Sequence, residues 1–510
     1  MKYVLRGTVV TLDSKKRVIK DGRVGIDGNK IAFVRSSRYR LPDGFQDSPV
    51  VEVEGFIYPG LIDLHNHLAY NFLGLWKISK KFVTRYQWSG TARYNREITA
   101  PMKLLASTCP VELVKYAEVK ALVGGTTTIA GFAKFNKSYA TWLLRNVEAE
   151  RFGEQEPKIY TSVLKLREGK QFLDTERKMR EGNAFLYHLA EGTSPKLHAE
   201  YDELDSHRLI SDKLVAIHCT ALAKGHFKSI GKKKTKIVWS PLSNFLLYGA
   251  TTDVSSAKKH GTLVCLGSDW SPSGSKSLLW ELKAVDLVNK ESLNRTFSHR
   301  DIVEMAITNP ARAIGWDDRV GMIKPGYHAD LVVFERIEDD PYPNLVLSTE
   351  KGLNLSIVDG RPRYGDLELL SNLGIDKPET ITVQNRKKGL DILEPGMEHG
   401  EVTFRLAVSK LKETLSRPAD AARKLFDDFK RMKAGDVPLR LIPLEEEEEV
   451  NRPLSFSAKT YGPFMADNFA DMSTPRPTGL DSLVTDKDFF KDLEENPNIP
   501  SYLKNLKQYA

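Results

Sequence analysis

Four side chains with the chemistry of metal ligands stand at the ends of strand-like segments. They are His65 and His67 in Tyr58-Pro-Gly-Leu-Ile-Asp-Leu-His-Asn-His67, His188 in Phe185-Leu-Tyr-His-Leu-Ala-Glu191, and Asp269 in Val264-Cys-Leu-Gly-Ser-Asp-Trp270. Residues two apart on a strand face the same side, so the His-x-His pair aims both imidazoles at one point. Three nitrogens and one carboxylate oxygen suit zinc, and also iron or manganese, with room for a water. That water is the expected nucleophile of a hydrolytic centre.

Such ligands need strands to carry them. From residue 56 to 318 apolar runs alternate with helical stretches, the pattern of parallel βα units. The runs are Phe56–Leu64, Thr126–Ala130, Ile159–Leu164, Ala184–Tyr187, Leu214–Ile217, Ile237–Trp239 and Thr262–Leu266. The expected fold class is α/β, a (β/α)8 TIM-like barrel, with the ligands at the C-terminal ends of strands, where such barrels keep their active sites. Seven runs are one short of eight, so a weak strand between Gly131 and Ala184 or an irregular barrel is expected.

Residues 1–55 alternate as short strands, with a tight hairpin predicted at Asp27-Gly28. Too small to close a sheet alone, they are expected to join residues 319–365 in a small composite β-sandwich beside the barrel of residues 56–318. Residues 69–110 form an insertion rich in Trp76, Arg85, Tyr86, Trp88, Arg93 and Tyr94, expected either to cover the metal or to make a dimer contact. Residues 366–510 read as a C-terminal extension. Phe404, Val408, Leu411 and Leu415 mark one amphipathic helix, and Ala422, Leu425, Phe426, Phe429 and Met432 a second, together a helical hairpin. The acidic run Glu445–Glu449 reads as an exposed linker, and the last fifty residues as a tail that is either wrapped or mobile.

The 510 residues are 41% hydrophobic and 28% charged, the balance of a soluble globular protein with two or three bodies. Lys plus Arg (75) less Asp plus Glu (67) gives +8, with both signs interspersed. The basic cluster Lys232–Lys234 with Lys236 precedes an apolar strand and reads as a solvated loop rather than a nucleic-acid patch. The N-terminus lacks signal-peptide features and no membrane-spanning run occurs. Cys109, Cys219 and Cys265 lack paired spacing and imply a reducing compartment; the expected location is cytoplasmic.

The same segments, with Ala216-Ile-His218-Cys, Ser240-Pro-Leu-Ser-Asn244 and Gly326-Tyr-His-Ala-Asp-Leu-Val-Val-Phe334, resemble the metal-dependent amidohydrolase superfamily. Within it the likeness is to the aminohydrolase and chlorohydrolase branch that includes cytosine, guanine and S-adenosylhomocysteine deaminases, over roughly residues 1–365. The resemblance implies that His65, His67, His188 and Asp269 bind one divalent metal, that Glu191 shuttles a proton from the metal-bound water to the leaving nitrogen, and that His218 stabilises charge on the reacting group. Asp269 would also accept a proton from the attacking water. A second metal on a carboxylated Lys165 would not fit this branch. The chain departs from common relatives at Trp239, where a His-Cys-Pro context is usual, and in the loop from Trp270 to Lys276. Trp239, Asn244 and Trp270 are therefore candidate substrate contacts, with packing an equal reading for both tryptophans.

The expected activity is metal-dependent hydrolysis of a non-peptide carbon–nitrogen bond, in an amide, cyclic amide or amidine, of a small-molecule substrate. Neither nucleic acid nor membrane is expected as a partner, and the resemblance implies a homo-oligomer. The alternative is a non-catalytic scaffold on the same fold.

Overall fold

The computed structural model describes residues 1–131, 134–163, 165–166, 169–431, 438–442 and 487–509; Leu164, Met432 and the acidic run Glu445–Glu449 lie outside them. The chain opens with β1 (Lys2–Val10), β2 (Val18–Asp27), β3 (Lys30–Ser36) and β4 (Val50–Pro59). Gly28, at φ +59°, supplies the left-handed turn of the β2–β3 hairpin, where Asp27 pairs with Lys30.

The expected run Phe56–Leu64 is divided. Its first half stays in β4, and β5 (Leu61–Asp63) starts a different sheet after Gly60. A side chain at Gly60 would meet Thr127 Oγ1 at 2.0 Å, so only glycine lets the chain cross here.

Apart from the short pair Lys134–Phe135 and Leu441–Ile442, which forms a sheet of its own, the next strands are β6 (Thr126–Ile129), β7 (Arg145–Asn146), β8 (Ile159–Ser162), β9 (Ala184–Leu189), β10 (Leu214–His218), β11 (Lys236–Trp239) and β12 (Val264–Leu266). They form two parallel arcs, β5-β6-β7 and β8-β9-β10-β11-β12. The eighth strand absent from the apolar pattern is β7, a polar Arg-Asn pair. Beside it, Glu148 reaches across to the second arc, accepting from Thr161 Oγ1 at 2.8 Å. On the other side, Asn66 and Asp269 form a parallel bridge between the chain segments leaving β5 and β12.

Alternate strand residues feed two cores. Ala184, Leu186, Val215, Ile217, Val238 and Cys265 share one, whereas Phe185, Tyr187, Leu214, Ala216, Ile237 and Trp239 join the larger one with the surrounding helices. By this parity His188 lies on the side of Ala184 and Leu186.

The chain then returns to its first sheet through β13 (Leu331–Phe334), β14 (Leu353–Val358) and β15 (Arg361–Gly365). The sheet runs past residue 365, because β16 (Glu379–Val383) and β17 (Arg386–Leu390) add to its edge, giving the order β16-β17-β15-β14-β13-β4-β1-β2-β3. Arg145 ties this sheet to the first arc. Its buried guanidinium lies 2.9 Å from Asp330 and 2.7 Å from Asp359.

Among the helices, α1 (Ala100–Thr108) and α2 (Pro110–Val123) close the insertion, α3 (Pro241–Tyr248) follows β11, and α4 (Phe404–Ser416) and α5 (Pro418–Arg431) come late. Phe404 of α4 stacks on Tyr116 of α2, with ring centroids 6.0 Å apart. Residues 487–509 are packed down: Phe489, Leu493, Leu503 and Leu506 are buried, and Lys77 of the insertion pairs with Asp492 at 3.1 Å. Asn498 donates to the backbone of both Lys80 and Leu246. No helix among the described residues is long and apolar enough to cross a membrane, and the three cysteines are buried free thiols.

Candidate metal centre

His65 and His67 lie just beyond the end of β5 rather than within it. Their segment passes so close to the exit of β6 that a side chain at Gly131 (φ +90°) would lie 1.6 Å from the Asn66 carbonyl oxygen. His188 sits inside β9 and His218 ends β10. Asp269 follows β12 in a left-handed conformation (φ +60°), with its backbone N–H donating to the His65 carbonyl at 2.9 Å.

These turns converge the side chains. His65 Nε2 is 3.2 Å and His67 Nε2 3.6 Å from Asp269 Oδ1, and the His65 and His188 rings are 4.7 Å apart. Three overlapping triads, His65–His67–His188, His65–His218–Asp269 and His188–Glu191–His218, each bring their ligand atoms within 4.8 Å of one another. His65 Nε2 and His188 Nδ1 are buried without a hydrogen-bond partner. Stranded buried nitrogens are costly, and a divalent cation among them would remove that cost. The donor set therefore fits a metal.

Burial pushes the His65 imidazole down to about 4 and His188 well below the ordinary range, so both rings present lone pairs at neutral pH. Burial alone would raise the Asp269 carboxyl, but His65, His67 and His218 hold it well below the usual carboxylate range. Ser243 Oγ also donates to Asp269 Oδ2 at 2.6 Å. Behind the ligands, buried Asp63 accepts from the His65 and Ser268 backbone N–H groups and from the Ser268 and Asn66 side chains. Burial lifts its carboxyl to about 6 despite these donors.

His218 Nδ1 lies 2.9 Å from Asn244 Oδ1, and the Asn244 amide donates to Thr251 and Thr252. That network places the amide oxygen toward the imidazole, so Nδ1 carries the hydrogen and Nε2 faces the site. Nε2 is 3.8 Å from Glu191 Oε2 and 4.0 Å from Asp269 Oδ2. Glu191 Oε1 accepts from the Tyr248 hydroxyl at 2.6 Å, and Arg85 Nη1 lies 3.9 Å from Oε2.

Above these groups opens a cavity of about 330 Å³. The insertion supplies much of its wall, through Arg85, Tyr86, Trp88, Tyr94 and Met102. Trp270 lines it too, its ring 5.6 Å from His67 and 5.0 Å from Tyr70. Trp239 does not: it faces the larger core, fully buried, with its indole N–H on Thr251. Asn244 touches His218 rather than the cavity. Lys165 is on the wall, with its ammonium 3.1 Å from Glu203.

Ser243 was legible only as part of the Ser240–Asn244 segment, whereas Asp63, Arg85 and Tyr248 gave no separate signal. A tyrosine at the end of an apolar helix reads as core.

Residues 180–363 match the Amidohydrolase family. A 5-methylthioadenosine/S-adenosylhomocysteine deaminase of Pelotomaculum thermopropionicum is 24% identical over 379 residues, 64% of this chain and 83% of the relative. An adenosine deaminase from Xanthomonas campestris with bound zinc shares the fold at a TM-score of 0.57 and 15% identity, covering 85% of this chain and 99% of its own. An atrazine chlorohydrolase from Arthrobacter aurescens, also complexed with zinc, superposes at 0.55 and 17% identity, covering 74% and 100%.

Proposed function

We propose that this chain is a member of the amidohydrolase superfamily that hydrolyses non-peptide carbon–nitrogen bonds, and that it works through one divalent metal, zinc, held by His65, His67, His188 and Asp269. The observation that carries this reading is the pair of stranded nitrogens, His65 Nε2 and His188 Nδ1, beside the Asp269 carboxylate. When bound, the ion supplies a water acidic enough to attack at neutral pH. Glu191, on the same wall, would take a proton from the attacking water and deliver it to the leaving nitrogen. His218, held by Asn244 through Nδ1–H, faces the reacting group and, as the imidazolium, donates its Nε2–H to the atom on which negative charge accumulates.

The substrate we propose is an aminated heterocycle that loses ammonia. Trp88, Tyr94 and Trp270 offer flat faces for a ring above the ligands, and the relatives are named as deaminases of adenosine derivatives. Asn244 serves by orienting His218, and Trp270 by contacting the ring. To the same proposal belong closure of the two arcs into one (β/α)8 barrel over residues 56–318, a sandwich-like curl of the nine-stranded sheet, α4 and α5 as a helical extension, and a cytoplasmic homo-oligomer.

The test is ammonia release from 5′-methylthioadenosine, S-adenosylhomocysteine and 5′-deoxyadenosine by zinc-loaded protein. His188→Ala and Asp269→Asn should each lose both bound metal and turnover, whereas Glu191→Gln should keep the metal and lose rate. Undiminished activity in Glu191→Gln would remove the proton shuttle. A purified chain holding far less than one metal ion after growth in supplemented medium would favour the scaffold.

A further inference from the structure

The helix α3 carries more of the site than its place behind β11 suggests. Ser243 donates to Asp269, Asn244 holds His218, and Tyr248, one turn after Asn244, donates to Glu191. Residues four apart share a helix face, so a single face of α3 addresses both candidate acid–base groups. The helix stops there, because Gly249 takes the left-handed conformation (φ +62°) that ends a helix immediately after Tyr248.

The direction of the Tyr248 hydrogen follows from its other neighbour. Trp88 Nε1 lies 3.0 Å from the Tyr248 oxygen, and an indole N–H only donates. The hydroxyl therefore accepts from Trp88 and commits its own hydrogen to Glu191 Oε1 at 2.6 Å. Tyr248 is fully buried, so solvent does not compete for its hydrogen. Oε2, the other carboxylate oxygen, is left facing His218 Nε2 and Arg85.

We propose that Tyr248 is a positioning residue for the reaction: it pins Oε1 of Glu191 and thereby reserves Oε2 as the oxygen that carries the proton. This inference rests on the proton-shuttle reading of Glu191. In the step it serves, the water oxygen would bond to the ring carbon as one of its protons leaves for Oε2; that proton then passes to the amino nitrogen, which departs as ammonia when its bond to the same carbon breaks, and the oxygen stays on the ring with its remaining hydrogen. The hydroxyl hydrogen of Tyr248 stays in place throughout. Trp88, from the insertion, sets the direction of the hydroxyl and so gives the cavity wall a share in the alignment.

Tyr248→Phe removes one oxygen and keeps the ring. In the zinc-loaded full-length protein, kcat for ammonia release from 5′-methylthioadenosine should fall about 10-fold, the worth of one hydrogen bond to a charged group. KM should stay within about twofold and zinc content should not change. In a Glu191→Gln background the same substitution should cost less than about twofold, because its effect runs through the carboxylate. An equal loss in both backgrounds would overturn the proposal, whereas a Glu191→Gln protein with full activity would overturn the shuttle reading itself. Crystal structures supply a readout independent of turnover: in Tyr248→Phe the Glu191 carboxylate should leave its present position, and a carboxylate that stays put overturns the proposal even if 5′-methylthioadenosine is not a substrate. Should the stranded Trp88 donor impair folding, the double variant Trp88→Phe/Tyr248→Phe removes it and is judged by the same crystallographic outcome.

Discussion

Replacing Asn244 with leucine isolates the contribution of a single orienting contact. The side chain is fully buried and leucine has nearly its shape, so no large cavity forms. Three hydrogen bonds disappear, to His218, Thr251 and Thr252. Thr251 still accepts from the Trp239 indole, and Thr252 still donates to the His218 carbonyl. Only the His218 Nδ1–H is left stranded, so the expected stability loss is about 1–3 kcal/mol, the cost of one unsatisfied buried donor. Catalytically, the ring loses the acceptor that fixes Nδ1–H and turns Nε2 toward Glu191 and Asp269. If the full worth of a hydrogen bond to a charged group, about 1.5–3 kcal/mol, is felt in the transition state, kcat/KM falls roughly 10- to 150-fold. The assay is steady-state ammonia release at full zinc occupancy, alongside a urea midpoint measured on the same preparation. A leucine variant that keeps its zinc and stays within about threefold of the wild-type rate would refute the assignment of Nδ1–H to Asn244.

In the metal-free protein, His65 should make stability fall as pH drops. Its folded value is depressed from 6.5 to about 4, so its contribution is whole above 6.5 and is lost progressively toward 4 as the unfolded chain takes up the proton first. The difference amounts to about 3 kcal/mol. His65→Gln should lack this component, and identical pH slopes of the urea midpoint for the two chains would show that it does not exist. Arg145→Ala should cost about 3–5 kcal/mol, since it strands the buried Asp330 carboxylate between the first arc and the nine-stranded sheet; chemical denaturation giving a loss below about 1 kcal/mol would contradict that.

His65, His67, His188 and Asp269 were readable because ligand type, spacing and strand ends coincide at them, and Glu191 and His218 because the resemblance implied them; the structure brings the six into three overlapping triads. Apolar periodicity found the strands that are apolar. It passed over β7, whose Arg145 and Asn146 are polar because one ties the two sheets together and the other caps the following turn. It also joined β4 to β5, since a continuous apolar run does not show that Gly60 carries the chain from one sheet to another. Trp239 looked like a pocket residue from its position in a motif, but strand parity sends it into the larger core beside Ile237. The partners that hold Glu191, His218 and Asp269 were the least legible. Ser243, Asn244 and Tyr248 act through geometry on one short helix, and composition does not separate them from packing.

The Asn498 amide reaches the backbone of Lys80 at the base of the insertion and that of Leu246 in the site helix. Lys80 and Asn498 are 418 residues apart in the chain. During synthesis, the wall of the cavity and the helix behind it would be made early and fastened late. At about 5–20 residues per second this interval is roughly 20–80 s. The nascent chain would carry the residues proposed to hold the metal long before the cavity above them is secured.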